Sequence, residues 1–268
     1  MHYAAQIVSR TTGTPRTKSL VRAVDLLRAV ASCPGGSSAS ELARVSGLPR
    51  STVARTLRTL ADSGLVENAS GNAGWVLGHE LVRLARTGDP HRPLVEAARP
   101  ALGRLRDIAS ESALLAVPSA GPGMEILLQL DAGRHVGVAS WVGVVVPLYA
   151  SSAGKLVLAE LCEEELEAWL GSTTRAAFTK RSIVDAQALR VELARVRRHG
   201  WAEIVDELEA GLASISVPVR SARGALAGIV GLSGPTFRLS RPQRRELLPA
   251  VQAAAAEIER ALARLAAA

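Results

Sequence analysis

Aromatic side chains make up only 3% of this 268-residue sequence. That argues against a single-strand nucleic-acid binder, because such proteins stack bases on rings. Cysteine is scarcer still. Cys33 and Cys162 stand far apart, which excludes a multi-cysteine zinc site, argues against a disulfide framework and fits a reducing, cytoplasmic setting. His2, His79, His91, His135 and His199 are scattered, with no H-x-x-x-H or H-E-x-x-H spacing, so neither a metal nor another cofactor is expected. The start, MHYAAQIVSRTTGTPRTKSL, has no apolar run long enough for a signal peptide. The longest apolar stretch, VGVASWVGVVVPLYA from Val136, is interrupted by Gly, Ser and Pro, so no membrane span is expected.

What is present is an apolar content of 48%, rich in alanine, leucine and valine. At this length the chain makes one large or two ordinary domains and can bury roughly three quarters of its unfolded surface. The net charge of +7 is uneven. Residues 1–78 carry nine Arg or Lys against four Asp or Glu, residues 79–89 balance, and the remainder is close to neutral. A basic front third ahead of a nearly neutral domain points to a nucleic-acid module.

Residues 1–16 read as a polar leader. A first helix from Thr17 has Leu20, Val24, Leu27 and Val30 in register and ends at the turn cluster CPGGSS. Ser38 and Glu41 form a capping box for a second helix, SELARVS, with Leu42 and Val45 pointing inward. Gly47 breaks it, and a third helix starting at Pro49 puts Val53, Leu57 and Leu60 on one stripe. That spacing is a helix-turn-helix. LVE and WVL, flanking NASGNAG, read as a hairpin wing. Residues 17–78 therefore form a winged helix-turn-helix domain, residues 79–89 a linker helix, and residues 90–268, after the boundary marked by Pro90 and Pro93, a second domain.

In the second domain helices are expected at about 93–110, 153–160, 163–170 and 185–199, and strands at 113–118, 123–131, 135–146, 201–206, 213–219 and 225–233. A long final helix is capped by Ser240 and Gln243, with Leu247, Val251, Ala254, Ile258, Ala261 and Leu265 as its stripe. Strands in two clusters with helices before, between and after them predict an α+β sheet covered by helices.

In a helix-turn-helix the second helix of the motif enters the major groove with its N-terminal residues at base edges. Arg50, Ser51, Thr52 and Arg55 are so placed, Arg being the commonest partner of guanine. Arg58 and Thr59 lie further along, nearer phosphates, and Ser40 and Thr56 complete the set of residues expected at DNA. A second stretch, YASSAGKLVLAE at 149–160, has three readings. Ser152 and Lys155 form an S-x-x-K pair like that of serine-lysine hydrolases, but the companion S-D-N and K-T-G elements are missing. A small-residue loop entering a helix can hold a carboxylate on free N–H groups. The same residues also suit a tight packing turn. The acidic run DELEAG, 206–211, is expected to be a solvated loop; its other readings are orienting a ligand or pairing with nearby arginines.

KSLVRAVDLLRAV, ELARVSGLPRSTVARTLRTLADSGLV, VPLYASSAGKLVLAE and GLASISVPVRSARGALAGIVGLSGPTFRLS together resemble the IclR family of bacterial transcriptional regulators, from about Lys18 to Leu265. The resemblance implies a winged-helix DNA binder joined by a linker helix to a GAF-like α/β effector-binding domain, a homodimer or homotetramer on a palindromic double-stranded operator, and a regulator rather than an enzyme. It also implies an effector pocket formed by Ser152, Ala153, Leu212, Ser214 and Ser233, with Val138 and Val146 as apolar wall. Two departures stand out: Gly231 where some members carry a serine, and Ile204 at an acidic pocket position, with Asp206 the nearest acid. Fewer polar groups suit a larger or less charged small molecule, an organic acid or aromatic metabolite. Trp75 replaces the family's usual wing tyrosine.

Overall fold

A computed structural model describes residues 17–33, 35–69, 74–119, 121 and 123–267; the expected leader and the tip of the wing lie outside them. The chain divides into two compact units, the first ending at Pro90 and the second running from His91.

The first unit contains α1 (Lys18–Ala31), α2 (Ala39–Ser46), α3 (Arg50–Asp62), β1 (Val66–Ala69), β2 (Gly74–Leu77) and α4 (His79–Thr87). The Ser38 hydroxyl accepts from Glu41 N at 3.2 Å, and Glu41 Oε2 accepts from Ser38 N at 2.9 Å, so the capping box forms at both ends. Gly47 takes the left-handed conformation, φ 65°, and turns the chain into α3. Pro49 stands outside that helix as its N-cap with ψ 140°, so the helix begins one residue later than the sequence suggested. β1 and β2 pair antiparallel, and a two-way backbone bridge between Trp75 and Ser37, at 2.8 and 3.1 Å, ties the hairpin to the turn before α2. Gly74 is required there: its φ is 77° and a Cβ would lie 2.4 Å from the Ser37 carbonyl oxygen.

Leu26, Val30, Leu42, Val53, Leu57, Leu60 and Val66 form the core of this unit. The phase of α1 differs from expectation. Leu20 and Val24 are exposed, and the buried stripe runs through Ala23, Leu26 and Val30. Val45 also faces solvent, because Leu42 and Ala43 take the inward face of α2.

The second unit opens with α5 (Arg92–Ala109) and holds one antiparallel six-stranded sheet of order β5-β4-β3-β8-β7-β6. The strands are β3 (Ser112–Pro118), β4 (Gly123–Leu130), β5 (Val145–Pro147), β6 (Ala202–Val205), β7 (Leu212–Arg220) and β8 (Leu226–Pro235). Side chains alternate across it as the pleat demands. Leu115, Val117, Ile215, Val217, Val230 and Leu232 pack toward α5 and the final helix α9 (Arg241–Ala267). The opposite face packs on α6 (Ser152–Glu160), α7 (Glu163–Ser172) and α8 (Ala186–His199). The architecture is α+β, with helices on both faces of a curled sheet.

The strand expected at 135–146 shrinks to β5. Gly137 and Gly143, the latter at φ 76°, break the extended run, and residues 131–144 leave the ladder apart from a single bridge between Val142 and Ile126. The Ser240 cap of α9 is present, with Ser240 N donating to Gln243 Oε1 at 3.1 Å. Its stripe is buried at Val251, Ala254 and Ile258 but emerges at Leu265. No described helix is long and apolar enough to cross a membrane.

Candidate nucleic-acid helix and serine-lined cavity

α3 separates its two faces cleanly. Val53, Leu57 and Leu60 are buried, while Arg50, Ser51, Arg55, Arg58 and Thr59 are exposed and Thr52 and Thr56 are half-buried. Ser40 is exposed in the first turn of α2. No acid occupies the first turn of α3, and no side chain caps it, so its leading N–H groups and the positive end of its dipole are free to meet an anion. Among the described residues no carboxylate lies within ion-pair distance of Arg50, Arg55 or Arg58. Thr59 spends its hydroxyl on the Arg55 carbonyl at 3.1 Å in the unbound chain, so the readiest side-chain donors of α3 are the arginines, Ser51, Thr52 and Thr56.

In the second unit a cavity with an empty volume of about 480 Å³, mouth included, opens between the sheet and the start of α6. Ser151 caps α6, its hydroxyl accepting from Gly154 N at 3.1 Å and donating to the Pro147 carbonyl at 2.8 Å. Gly154 lets the helix settle on the chain below, since a Cβ there would lie 2.3 Å from Leu148 Cα. The packing reading of this stretch therefore holds for Gly154. Ser152 and Ala153 turn instead to the cavity.

Ser152 Oγ lies 2.9 Å from Ser214 Oγ and 2.8 Å from Ser216 Oγ. Ser214, Ser216 and Leu212 share one face of β7, and the rungs opposite them on β8 are Ser233, Gly231 and Pro235. Ser233 and Gly231 line the same cavity, and Leu114, Ile126, Trp141, Val146 and Ile229 supply apolar wall. None of the described lining side chains is ionisable. Ser216, Trp141, Leu114 and Ile126 were not among the expected site residues. Ser216 was legible, because the period-two alternation 212, 214, 216 puts it beside Ser214.

Gly231 explains which strand carries the hydroxyl. A Cβ at 231 would lie 2.5 Å from Ser216 Oγ and 2.8 Å from the Ile215 carbonyl oxygen. The rung has room for one side chain, and here β7 provides it.

Val138 is not part of this cavity. It lies in the 131–144 loop that left the sheet, beside a separate polar cleft lined by Glu111, Asp131, Arg134 and Arg238. Glu111 and Arg238 form an ion pair there, with Arg238 Nη2 donating to Glu111 Oε2 at 3.0 Å.

The acidic run is not a solvated loop throughout. Asp206 sits in a turn at φ 59°, accepts from Gly211 N at 2.7 Å and does not line the cavity. Glu207 is buried under α6, with Lys155. The Lys155 ammonium, 0% exposed, donates to Glu207 Oε1 at 2.7 Å, Glu192 Oε1 at 3.3 Å and the Glu203 carbonyl at 3.3 Å. Burial raises the Glu207 carboxyl from its ordinary value despite the pull of Lys155. Burial acts the same way on Glu192, but there the hydrogen bond from Arg195 and the charges of Lys155 and Arg195 win, and its pKa falls. The hydrogen bonds of Ser152 and Lys155 thus lead away from each other, and the arrangement is not a serine-lysine nucleophile pair. Among the described residues no three His, Cys, Asp or Glu side chains gather as a metal site requires.

Two family models match the chain: the IclR helix-turn-helix domain over residues 19–70 and the C-terminal domain of the bacterial transcriptional regulator IclR over residues 90–260. The chain is 31% identical over 243 residues to the HTH-type transcriptional regulator BhcR of Paracoccus denitrificans, covering 90% of this chain and 86% of that one. It is 27% identical over 246 residues to the acetate operon repressor of Salmonella typhimurium, covering 91% and 90%. Among solved structures, an IclR homolog from Microbacterium hydrocarbonoxydans complexed with 4-hydroxybenzoate superposes with a TM-score of 0.74 at 27% identity, covering 91% of this chain and 98% of that one.

Proposed function

Because the chain belongs to the IclR family of bacterial transcriptional regulators and is therefore a DNA-binding regulator with an effector domain, we propose that it is a cytoplasmic repressor released or engaged by an aromatic monocarboxylate. The carrying observation is the cavity: Ser152, Ser214, Ser216 and Ser233 gathered beside the start of α6, apolar walls and no ionisable group among the described lining residues. Such a site offers a carboxylate hydroxyl donors and a helix N-terminus. It offers a flat ring the surfaces of Trp141, Leu114 and Ile126. It has no cation to favour a dianion. The Microbacterium homolog carries a ligand of this class, 4-hydroxybenzoate.

Arg50, Ser51, Thr52 and Arg55 read base edges in the major groove, while Ser40, Thr56, Arg58 and Thr59 serve register on the backbone. Two copies of the chain present paired α3 helices to a palindromic operator. A ligand controls operator affinity through its unequal affinity for the conformations that fit and misfit the DNA.

The test uses the full chain with 4-hydroxybenzoate as probe and DNA fragments selected by the wild-type protein from a randomised pool. Binding raises the melting temperature with ligand concentration, by about 2.7 kcal/mol of stabilisation at a hundred times Kd. Ser214→Leu fills the cavity and is expected to abolish that shift while leaving DNA affinity unchanged. Loss of both activities, or of neither, overturns the site assignment.

A further inference from the structure

The cavity has two walls that are far apart in sequence. One is the first turn of α6, bearing Ser152 and Ala153. The other is the β6–β7 connection, bearing Leu208, and the first residue of β7, Leu212. Lys155 lies one helical turn beyond Ser152, and Glu207 immediately precedes Leu208. We propose that the Lys155–Glu207 ion pair is a positioning clamp that joins these two walls and thereby sets the width of the cavity and its affinity for ligand. The inference rests on the reading of the cavity as the ligand site.

The clamp is over-built for mere filling of space. Lys155 is wholly buried, with an acceptor for each of its three N–H groups. Glu207 is less complete: Oε1 meets Lys155, but Oε2 is buried and meets no donor among the described residues, a cost that an apolar side chain would avoid. Replacing a buried ion pair by apolar residues of similar volume is often neutral for stability or favourable. Retaining the pair therefore calls for a role other than holding the fold together. The neighbourhood supplies one. Ser182 Oγ donates to the Glu207 carbonyl at 2.6 Å, and Gly211 N donates to Asp206 Oδ1 at 2.7 Å, so the connection is tied at its ends and through its backbone. Lys155 holds it by a side chain in the middle. With the pair in place, Leu208 is fixed at the cavity wall; without it the two walls lose the only described side-chain ion pair between α6 and this connection.

The discriminating variant is the double replacement Lys155→Met with Glu207→Met. It leaves no buried charge unmatched, because Glu192 retains Arg195 at 2.9 Å. Its melting temperature is expected to stay close to that of the wild type while the Kd for 4-hydroxybenzoate, measured by calorimetry on the full chain, rises by about tenfold or more. Amide exchange without ligand is expected to speed up by about tenfold or more at Leu208–Leu212, with the rest of the sheet unchanged. Unchanged affinity together with unchanged exchange overturns the clamp. If the wild type fails to bind 4-hydroxybenzoate, the ligand reading fails, and ligand-free exchange decides the clamp: local acceleration supports it and none refutes it. If the double variant does not fold, Glu207→Gln, which keeps the shape and removes the charge, is judged on the same exchange measurement.

Discussion

Replacing Leu57 by alanine removes three buried carbons from the centre of the DNA-reading unit. Leu57 is 0% exposed, and the core it shares with Leu26, Val30, Leu42, Val53, Leu60 and Val66 contains no residue from beyond Pro90. A Leu→Ala change at such a site costs about 2–5 kcal/mol, the spread depending on how far the surroundings collapse. A unit of this size holds roughly 4–10 kcal/mol in total, so the change consumes a large share of what it has. Each kcal/mol corresponds to about 4–8 °C in a domain of 60–100 residues, which places the expected fall at about 8 °C or more. Differential scanning calorimetry of the full chain is the assay. Two transitions are expected, of which Leu57→Ala lowers one and leaves the other in place, and the transition left behind is the one that rises on adding 4-hydroxybenzoate. DNA affinity drops at temperatures between the two. A single transition that moves as a whole, or equal displacement of both, refutes the argument that the two cores are energetically separate.

Arg55→Ala is expected to weaken binding to selected DNA by about 1–3 kcal/mol and to relax the preference at one base position; electrophoretic titration of matched and mismatched duplexes checks this, and unchanged affinity and selectivity contradict the assignment. At the shared rung of β7 and β8, Gly231→Ser is expected to cost about 1–3 kcal/mol by overpacking. Part of that cost should vanish when Ser216→Gly is added, since the hydroxyl it strikes is gone, though the contact with the Ile215 carbonyl remains. A urea double-mutant cycle showing strict additivity counts against the one-side-chain rung.

The elements that could be read from sequence are those whose signals are local. Ser38 with Glu41, Gly47, and the stripe Val53, Leu57, Leu60 each specify a turn or a face through steps of four residues or fewer, and all appear in the structure. The phase of α1 was ambiguous for a physical reason. The expected stripe Leu20, Val24, Leu27, Val30 and the stripe Ala23, Leu26, Val30 share Val30, which is buried, while Leu27 packs at the core edge; only the partners in α2 and α3 settle that Leu26 rather than Leu20 and Val24 goes inside. Val138, which the resemblance implied as apolar wall, lies outside the cavity lining because the chain leaves the ladder over 131–144, a departure that valine-rich alternation does not announce. The Lys155–Glu207 pair was invisible, since nothing within either segment marks a partner 52 positions away. Ser216 was within reach of the alternation that places Ser214, and its partner on β8 is Gly231.

The strand order has a consequence for the growing chain. β3 pairs with β8 through rungs such as Ser112 with Ser233, so one edge of the apolar strand SALLAVP waits about 120 residues for its neighbour. At a synthesis rate of about 5–20 residues per second, that edge stands open for roughly 6–24 seconds on the ribosome, a template for mispairing. The helical front unit needs no such delay. In a crowded cell, newly made chains should therefore be able to grip DNA before they can sense anything, and the sensing half should be the one that calls on chaperones.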